Sequence, residues 1–218
     1  MERGAARVWL GPGLLAAVIL GLGVAAPWPH AGADDGPEIV RIPLADGFDF
    51  PVGKPDAEGY YMSRGFWANR HLGEDWNGVG GGNTDLGDPV YSIGSGVVSL
   101  AGDMRGAWGK TVIVRHAYRE RSTGRVHEID SFYTHLDRIT VEKGQLVGRG
   151  EQVGTIGTNR GMYTAHLHFE MRKNIRIGMA RIPHARDHTN YFVPSDFINA
   201  HRQLRRERGT VPVDINTY

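Results

Sequence analysis

The stretch Ala165-His166-Leu167-His168-Phe169-Glu170-Met171 constrains the fold more than any other part of the sequence. In an extended strand successive side chains point to opposite faces, so Leu167, Phe169 and Met171 share one face while His166, His168 and Glu170 share the other. The apolar face must join a core, and the polar face then presents two imidazoles and a carboxylate from a rigid platform. Such a strand needs a sheet around it. From Pro89 onward the chain supplies one, as short β-branched runs at 96–101, 110–118, 126–136, 152–158 and 165–172 alternate with turn residues. Ser122-Thr123-Gly124 is a turn that joins the second and third runs in a hairpin. Glycine agrees, since 31 of 218 residues is roughly double the usual share and suits a turn-rich β protein better than a helix bundle. The expected fold is mainly β: an antiparallel sheet sandwich or barrel-like domain. A short C-terminal helix follows over 196–206, capped by Ser195 after Pro194.

Composition narrows the function classes. Hydrophobic residues at 40% and charged residues at 22% provide for a packed core. A formal net charge of +1 asks for neither nucleic acid nor an anionic membrane. The absence of cysteine excludes disulfide scaffolds, thiolate metal sites and cysteine nucleophiles. At the N-terminus, Arg3 and Arg7 precede an apolar run over 8–26, and Ala31-Gly32-Ala33 follows. A basic start, a hydrophobic middle and a small-residue end are the parts of a secretory signal peptide, read here over 1–33; a retained membrane anchor is the other reading. Removing this segment takes away Arg3, Arg7 and Glu2 and leaves the rest formally neutral. Residues 34–67 then read as a lead-in that wraps the domain, with 39–42 as one strand. Residues 68–173 read as the core, and 174–218 as a C-terminal extension carrying the helix.

The chemistry lies in the histidines. Of the ten, only His30 falls in the leader. His71 and Asp75 stand four residues apart and can reach one metal ion. Gly73 between them, and Asn77-Gly78 and Gly80-Gly81-Gly82 beyond, favour a loop over a helix there. His135 ends the run Tyr133-Thr134-His135-Leu136, and His166 and His168 share a strand face. Each cluster alone also fits hydrogen-bonded or solvated side chains. Together they supply His71, Asp75, His135, His166 and His168, and three ligands with an open fourth position are what a catalytic zinc needs. Two further imidazoles can handle protons.

In order and spacing, His71-x-x-x-Asp75, Tyr133-Thr134-His135-Leu136 and His166-Leu167-His168-Phe169-Glu170 resemble the motifs of the M23 zinc metallopeptidases, the lysostaphin/LytM-type endopeptidases. Intervening text is similar too, in Gly87-Asp88-Pro89-Val90-Tyr91, Gly96-Val97-Val98, the segment 109–116 and Gly148-Arg149-Gly150-Glu151-Gln152-Val153-Gly154. The likeness covers residues 68–173. It implies that His71, Asp75 and His168 bind one Zn²⁺. It also implies that His135 and His166 flank the attacking water and the developing oxyanion. One of that pair takes the water's proton, and one or both protonate the leaving amine or stabilise charge. No HExxH glutamate is present, so imidazole replaces carboxylate as the base. Thr164-Ala165 stands where the family usually has Gly-Pro. The implied substrate is peptidoglycan, in its stem peptides or cross-bridges, or another extracytoplasmic peptide, met in the periplasm, outside the cell or at the cell wall. A membrane is a partner only if the N-terminal segment is uncleaved, and nucleic acid is not one. The glycine-rich segment 78–82 is expected to form one wall of a groove.

Other polar residues have milder readings. Glu170 either orients a ligand imidazole or makes a structural salt bridge. Tyr133 alternates with His135, so either its phenol faces the cleft and helps bind an oxyanion or it is ordinary strand packing. His116 alternates with Val112 and Val114 and reads as a hydrogen-bonded core or rim histidine. His184, Asp187 and His188 read as a solvated loop, with another metal site as the alternative. Arg202, Arg205, Arg206 and Arg208 read as a solvated helix end, with weak contact to an anionic cell-wall polymer as the alternative. Asn83-Thr84-Asp85 lacks a calcium-loop pattern. Two rival functions remain: a non-enzymatic wall-binding or hydrolase-activating module, and a zinc carboxypeptidase. Degenerate modules of the first kind usually lack zinc ligands, whereas all five key residues are present here.

Overall fold

A computed structural model describes residues 36–179 and 188–218. The expected leader and the residues His184 and Asp187 lie outside this described part. In chain order the strands are β1 (Ile39–Pro43), β2 (Tyr60–Arg64), β3 (Glu74–Gly78), β4 (Pro89–Tyr91), β5 (Gly96–Asp103), β6 (Lys110–Arg119) and β7 (Val126–Leu136). They continue with β8 (Arg138–Ile139), β9 (Leu146–Val147), β10 (Gln152–Thr155), β11 (Leu167–Arg172), β12 (Tyr191–Phe192) and β13 (Thr210–Asp214). The α-helix among the described residues is α1 (Pro194–Ala200). The fold is thus mainly β with a short C-terminal helix.

The main sheet runs in the order β2-β3-β11-β7-β6-β5-β9, with β12 added to β11, and all its pairings are antiparallel. A smaller sheet, β4-β10-β8, faces it. Between them lies one core in which Val90 and Val153 of the small sheet pack with Val112, Val114, Tyr133, Leu167, Phe169 and Met171 of the large one. The two-residue period anticipated for 165–171 is obeyed here, since all three apolar residues of that strand are fully buried in this core. The hairpin at 122–124 joins β6 to β7, which pair from Lys110–Leu136 out to Arg119–Val126.

The lead-in and the C-terminal extension are held to each other as a third layer. β1 pairs with β13, and Ile42, Val213 and Ile215 pack on Val97 and Ala117 of the main sheet. The strand β13 was not anticipated, because Pro212 and the single pair Val211 and Val213 give it little alternation.

Three boundaries differ from expectation for tertiary reasons. The helix ends at Ala200 rather than 206, and Val193 rather than Ser195 is its N-cap. Beyond Ala200 the backbone carbonyls are captured elsewhere: His201 O accepts from Phe48 N–H at 3.1 Å and Arg202 O from Arg149 Nη2 at 3.0 Å. Ser195 serves β3 instead, donating its hydroxyl and its N–H to Glu74 Oε1 at 2.6 and 3.1 Å. The run 152–158 is a strand only to Thr155, after which Ile156 N–H donates to Asp88 O at 2.8 Å.

Candidate active site

β3 and β11 are neighbours, and their register sets His168 directly opposite Asp75. Residues directly opposite on adjacent strands present side chains on the same face. His168 Nδ1 accordingly lies 2.8 Å from Asp75 Oδ1. His71 precedes β3 in an extended segment, not a helix, and reaches the same place, with Nε2 3.0 Å from Asp75 Oδ1 and 2.8 Å from His168 Nδ1. The close approach depends on Gly73, where a Cβ would sit 2.4 Å from Phe169 O and 2.9 Å from Glu170 Cγ. Among the described residues, His71, Asp75 and His168 are the one group whose ligand atoms converge this way, all within 4.8 Å of one another.

The outer nitrogens of both rings are already engaged. His71 Nδ1–H donates to Gly65 O at 3.2 Å, and His168 Nε2–H donates to Glu170 Oε1 at 3.1 Å. With those tautomers, two imidazole lone pairs and a carboxylate oxygen converge with no hydrogen between them, an arrangement that demands a positive charge. Burial would lower the His168 pKa, yet its hydrogen bonds to Asp75 and Glu170 outweigh burial and raise it to about 9. Burial pushes the Asp75 carboxyl up, but the facing His168 and His71 rings hold it well below the usual carboxylate range. A metal ion meets the same demand, and two nitrogens with one carboxylate oxygen suit zinc.

His135 and His166 stand beside this group. Their ring centroids are 4.9 Å apart, and His135 lies 5.5 Å from His168. His135 Nδ1–H donates to Trp108 O at 3.2 Å, and His166 Nδ1–H donates to Thr164 O at 2.8 Å. Each ring therefore leaves Nε2 as its free lone pair, and that of His166 lies 3.8 Å from Asp75 Oδ1. Burial, with His168 and His166 alongside, lowers the His135 pKa to about 3 and keeps it neutral. All five residues line one cleft of about 120 Å³, which Arg64, Trp108 and Tyr163 complete.

Glu170 fills both readings made for it. Its Oε1 orients His168, and its Oε2 accepts from Arg172 Nε and Nη2 at 3.0 and 2.9 Å. Burial pushes its pKa up, but Arg172 and His168 bring it down to about 2.

Tyr133 does not face the cleft. It is fully buried, and its hydroxyl bonds Ile93 N–H and Ser131 Oγ, both at 3.0 Å. The alternation that would pair it with His135 is broken by His135 itself, whose φ of +61° turns its ring toward His168. A left-handed backbone at a side-chain-bearing residue costs about 1–2 kcal/mol, and no local sequence signal marks it. Segment 78–82 is also absent from the cleft wall.

His116 is a core histidine as expected, with Nδ1 3.0 Å from Ser95 O and Nε2 2.8 Å from Ser131 Oγ. The ring of His188 packs 4.5 Å from that of Trp67. Arg202 is not part of a solvated helix end, since it reaches Asp49 at 3.3 Å and also pairs with Asp56. Arg205, Arg206 and Arg208 instead line a separate groove of about 700 Å³ that holds none of the five site residues. Trp108 and Tyr163 went unnoticed in the sequence because both sit in loops without periodicity. Tyr163 lies 4.7 Å from His135 and 5.8 Å from His166 by ring centroids.

Residues 71–177 match Peptidase family M23. The chain is 38% identical over 86 residues to cell division protein DipM of Caulobacter vibrioides, covering 39% of this chain and 13% of DipM. It is 37% identical over 90 residues to the peptidoglycan DD-endopeptidase ShyB of Vibrio cholerae, covering 40% of this chain and 18% of ShyB. The chain thus spans less than a fifth of these relatives' own length. Among solved structures, lysostaphin from Staphylococcus simulans is 21% identical, with 65% of this chain and 50% of that chain covered and a TM-score of 0.47.

Proposed function

Residues 71–177 make this chain a member of Peptidase family M23, and from that premise we propose that it is an exported, zinc-dependent endopeptidase acting on peptidoglycan stem peptides or cross-bridges. The observation that carries this reading is the convergence of three metal-ligand atoms beside two imidazoles with free Nε2 lone pairs, all in one open cleft. The family match and the named peptidoglycan activity of ShyB support the substrate.

His71 Nε2, Asp75 Oδ1 and His168 Nδ1 are the ligand atoms in this reading. A zinc ion bound there supplies Lewis-acid polarisation of a peptide carbonyl and makes a coordinated water more acidic. His135 and His166 handle the proton. One Nε2 accepts it from the attacking water, and the protonated imidazole then donates to the leaving amine nitrogen. The second imidazole, once protonated, would donate to the developing oxyanion. The carbonyls of Trp108 and Thr164 hold the two rings in the tautomer this requires. The N-terminal segment, read as an export signal, takes the chain to its substrate.

The test is mass spectrometry of soluble products after the zinc-loaded chain meets purified peptidoglycan, with Asp75→Ala alongside. New peptides released only by the unsubstituted chain establish hydrolysis and locate the bond. Release of single terminal residues would convert the reading to a carboxypeptidase. No release from a zinc-bound chain would favour a non-enzymatic module, and equal release from both proteins would overturn the site.

A further inference from the structure

The glycine-rich segment that fails to line the cleft has another use. Ala165, the residue before His166, is fully buried and lies just outside β11, so no strand ladder satisfies its backbone. Buried N–H and C=O groups require partners. Two asparagines provide them: Asn83 Oδ1 accepts from Ala165 N–H at 2.8 Å, and Asn77 Nδ2 donates to Ala165 O at 2.9 Å. We infer that Asn77 and Asn83 form a clamp on the Ala165 backbone that positions His166. The inference rests on the role proposed above for that imidazole.

The geometry makes Ala165 a lever. The His166 ring is tied through Nδ1 to Thr164 O, so the 164–166 backbone decides where Nε2 points. Neither Thr164 nor Ala165 restricts that backbone as Gly-Pro would, because proline fixes φ and has no N–H to satisfy. The chain has an N–H at 165, and Asn83 meets it. Asn77 sits on β3 two residues beyond Asp75, so the strand that carries a ligand carboxylate also holds one side of the clamp.

The loop carrying Asn83 is itself fixed. Gly81 and Gly82 take φ of +70° and +57°, which lets the chain double back within a few residues. Asp85 Oδ2 accepts from Gly78 N–H at 3.0 Å and Thr84 Oγ donates to Gly81 O at 2.8 Å, which closes the loop. A floppy loop could not hold a side chain in register with a backbone group 82 residues away in the chain. Asn77 and Asn83 are positioning residues and touch neither metal ligand atoms nor the cleft.

The test uses Asn83→Ala and Asn83→Asp in the full chain, with and without His166→Ala. Asn83→Ala is expected to lower kcat about 10–100-fold at nearly unchanged KM and zinc content, because small misplacements of a reacting group cost about that much. Asn83→Asp keeps the accepting oxygen and should restore activity to within about 3-fold. In the His166→Ala background, Asn83→Ala should cost less than about 2-fold. An equal loss in both backgrounds, or a rise in KM alone, would overturn the clamp. Amide hydrogen exchange gives an answer independent of hydrolysis: Ala165 N–H should lose protection in Asn83→Ala and keep it in Asn83→Asp. Unchanged Ala165 protection in Asn83→Ala overturns the clamp even if the chain hydrolyses nothing, whereas inactivity with the expected exchange pattern would overturn only the peptidase reading.

Discussion

Glu170 Oε1 accepts a hydrogen bond from His168 Nε2 at 3.1 Å, and this contact decides which nitrogen of His168 faces Asp75. A carboxylate behind a ligand imidazole fixes its tautomer and raises its basicity, and losing it typically costs 10–100-fold in metal affinity. Glu170→Gln should therefore weaken zinc binding about 10–100-fold in a chelator competition. Glu170→Gln and Glu170→Ala each also leave Arg172, which is wholly buried, without its anionic partner, and breaking a buried ion pair costs about 3–5 kcal/mol. Urea unfolding separates the two effects.

His135 and His166 carry the proton chemistry in the proposed reaction, whereas neither belongs to the converging group of His71, Asp75 and His168. Replacing either by alanine should reduce hydrolysis about 10²–10⁴-fold while the purified protein keeps one zinc per chain. The measurements are metal content by atomic emission and initial rate on soluble peptidoglycan fragments. Retained full activity in the double variant would remove both residues from the mechanism.

Tyr133 belongs to the core. Its hydroxyl accepts from Ile93 N–H, so Tyr133→Phe leaves a buried donor unsatisfied and should cost about 1–3 kcal/mol in urea unfolding. Hydrolysis by the folded variant should stay within about 2-fold of the parent. A tenfold fall in kcat at unchanged stability would return the phenol to the cleft.

That contrast shows what was legible beforehand. The sheet and the core face of Leu167, Phe169 and Met171 follow from two-residue periodicity, and the approach of His71 to Asp75 from their four-residue spacing, which are local properties. That His168 joins them is what the resemblance to the M23 metallopeptidases implies. The site's finer arrangement is not local. The left-handed turn at His135 reverses the alternation that would have put Tyr133 beside it, and only the surrounding structure sustains such a backbone. The helix stops at Ala200 because Phe48 and Arg149, remote in sequence, bond the carbonyls that follow. The use of Asn83 depends on a contact across 82 residues, and its glycine-rich surroundings announce a turn without saying what it holds.

His116 gives a stability prediction away from the cleft. It is wholly buried, its Nδ1–H donates to Ser95 O, and Nε2 accepts from the Ser131 hydroxyl. That hydroxyl neighbours Tyr133, whose oxygen accepts from Ile93 N–H, so a neutral ring completes a chain in which each group has a partner. Burial lowers the His116 pKa to about 4, with the Ser95 carbonyl opposing the shift, whereas an unfolded chain titrates it near 6.5. Above pH 6.5 the ring is neutral in both states and costs nothing. Between about 6.5 and 4 the unfolded chain takes up a proton that the folded protein refuses, so stability falls as pH falls. The loss amounts to about 2 kcal/mol by pH 5 and about 3 kcal/mol by pH 4. Urea unfolding of the parent and of His116→Gln at pH 7.5 and pH 5 isolates this contribution, because the remaining histidines titrate in both proteins. The parent should lose about 2 kcal/mol more than the variant over that interval, and equal losses would mean that His116 takes up a proton inside the folded core.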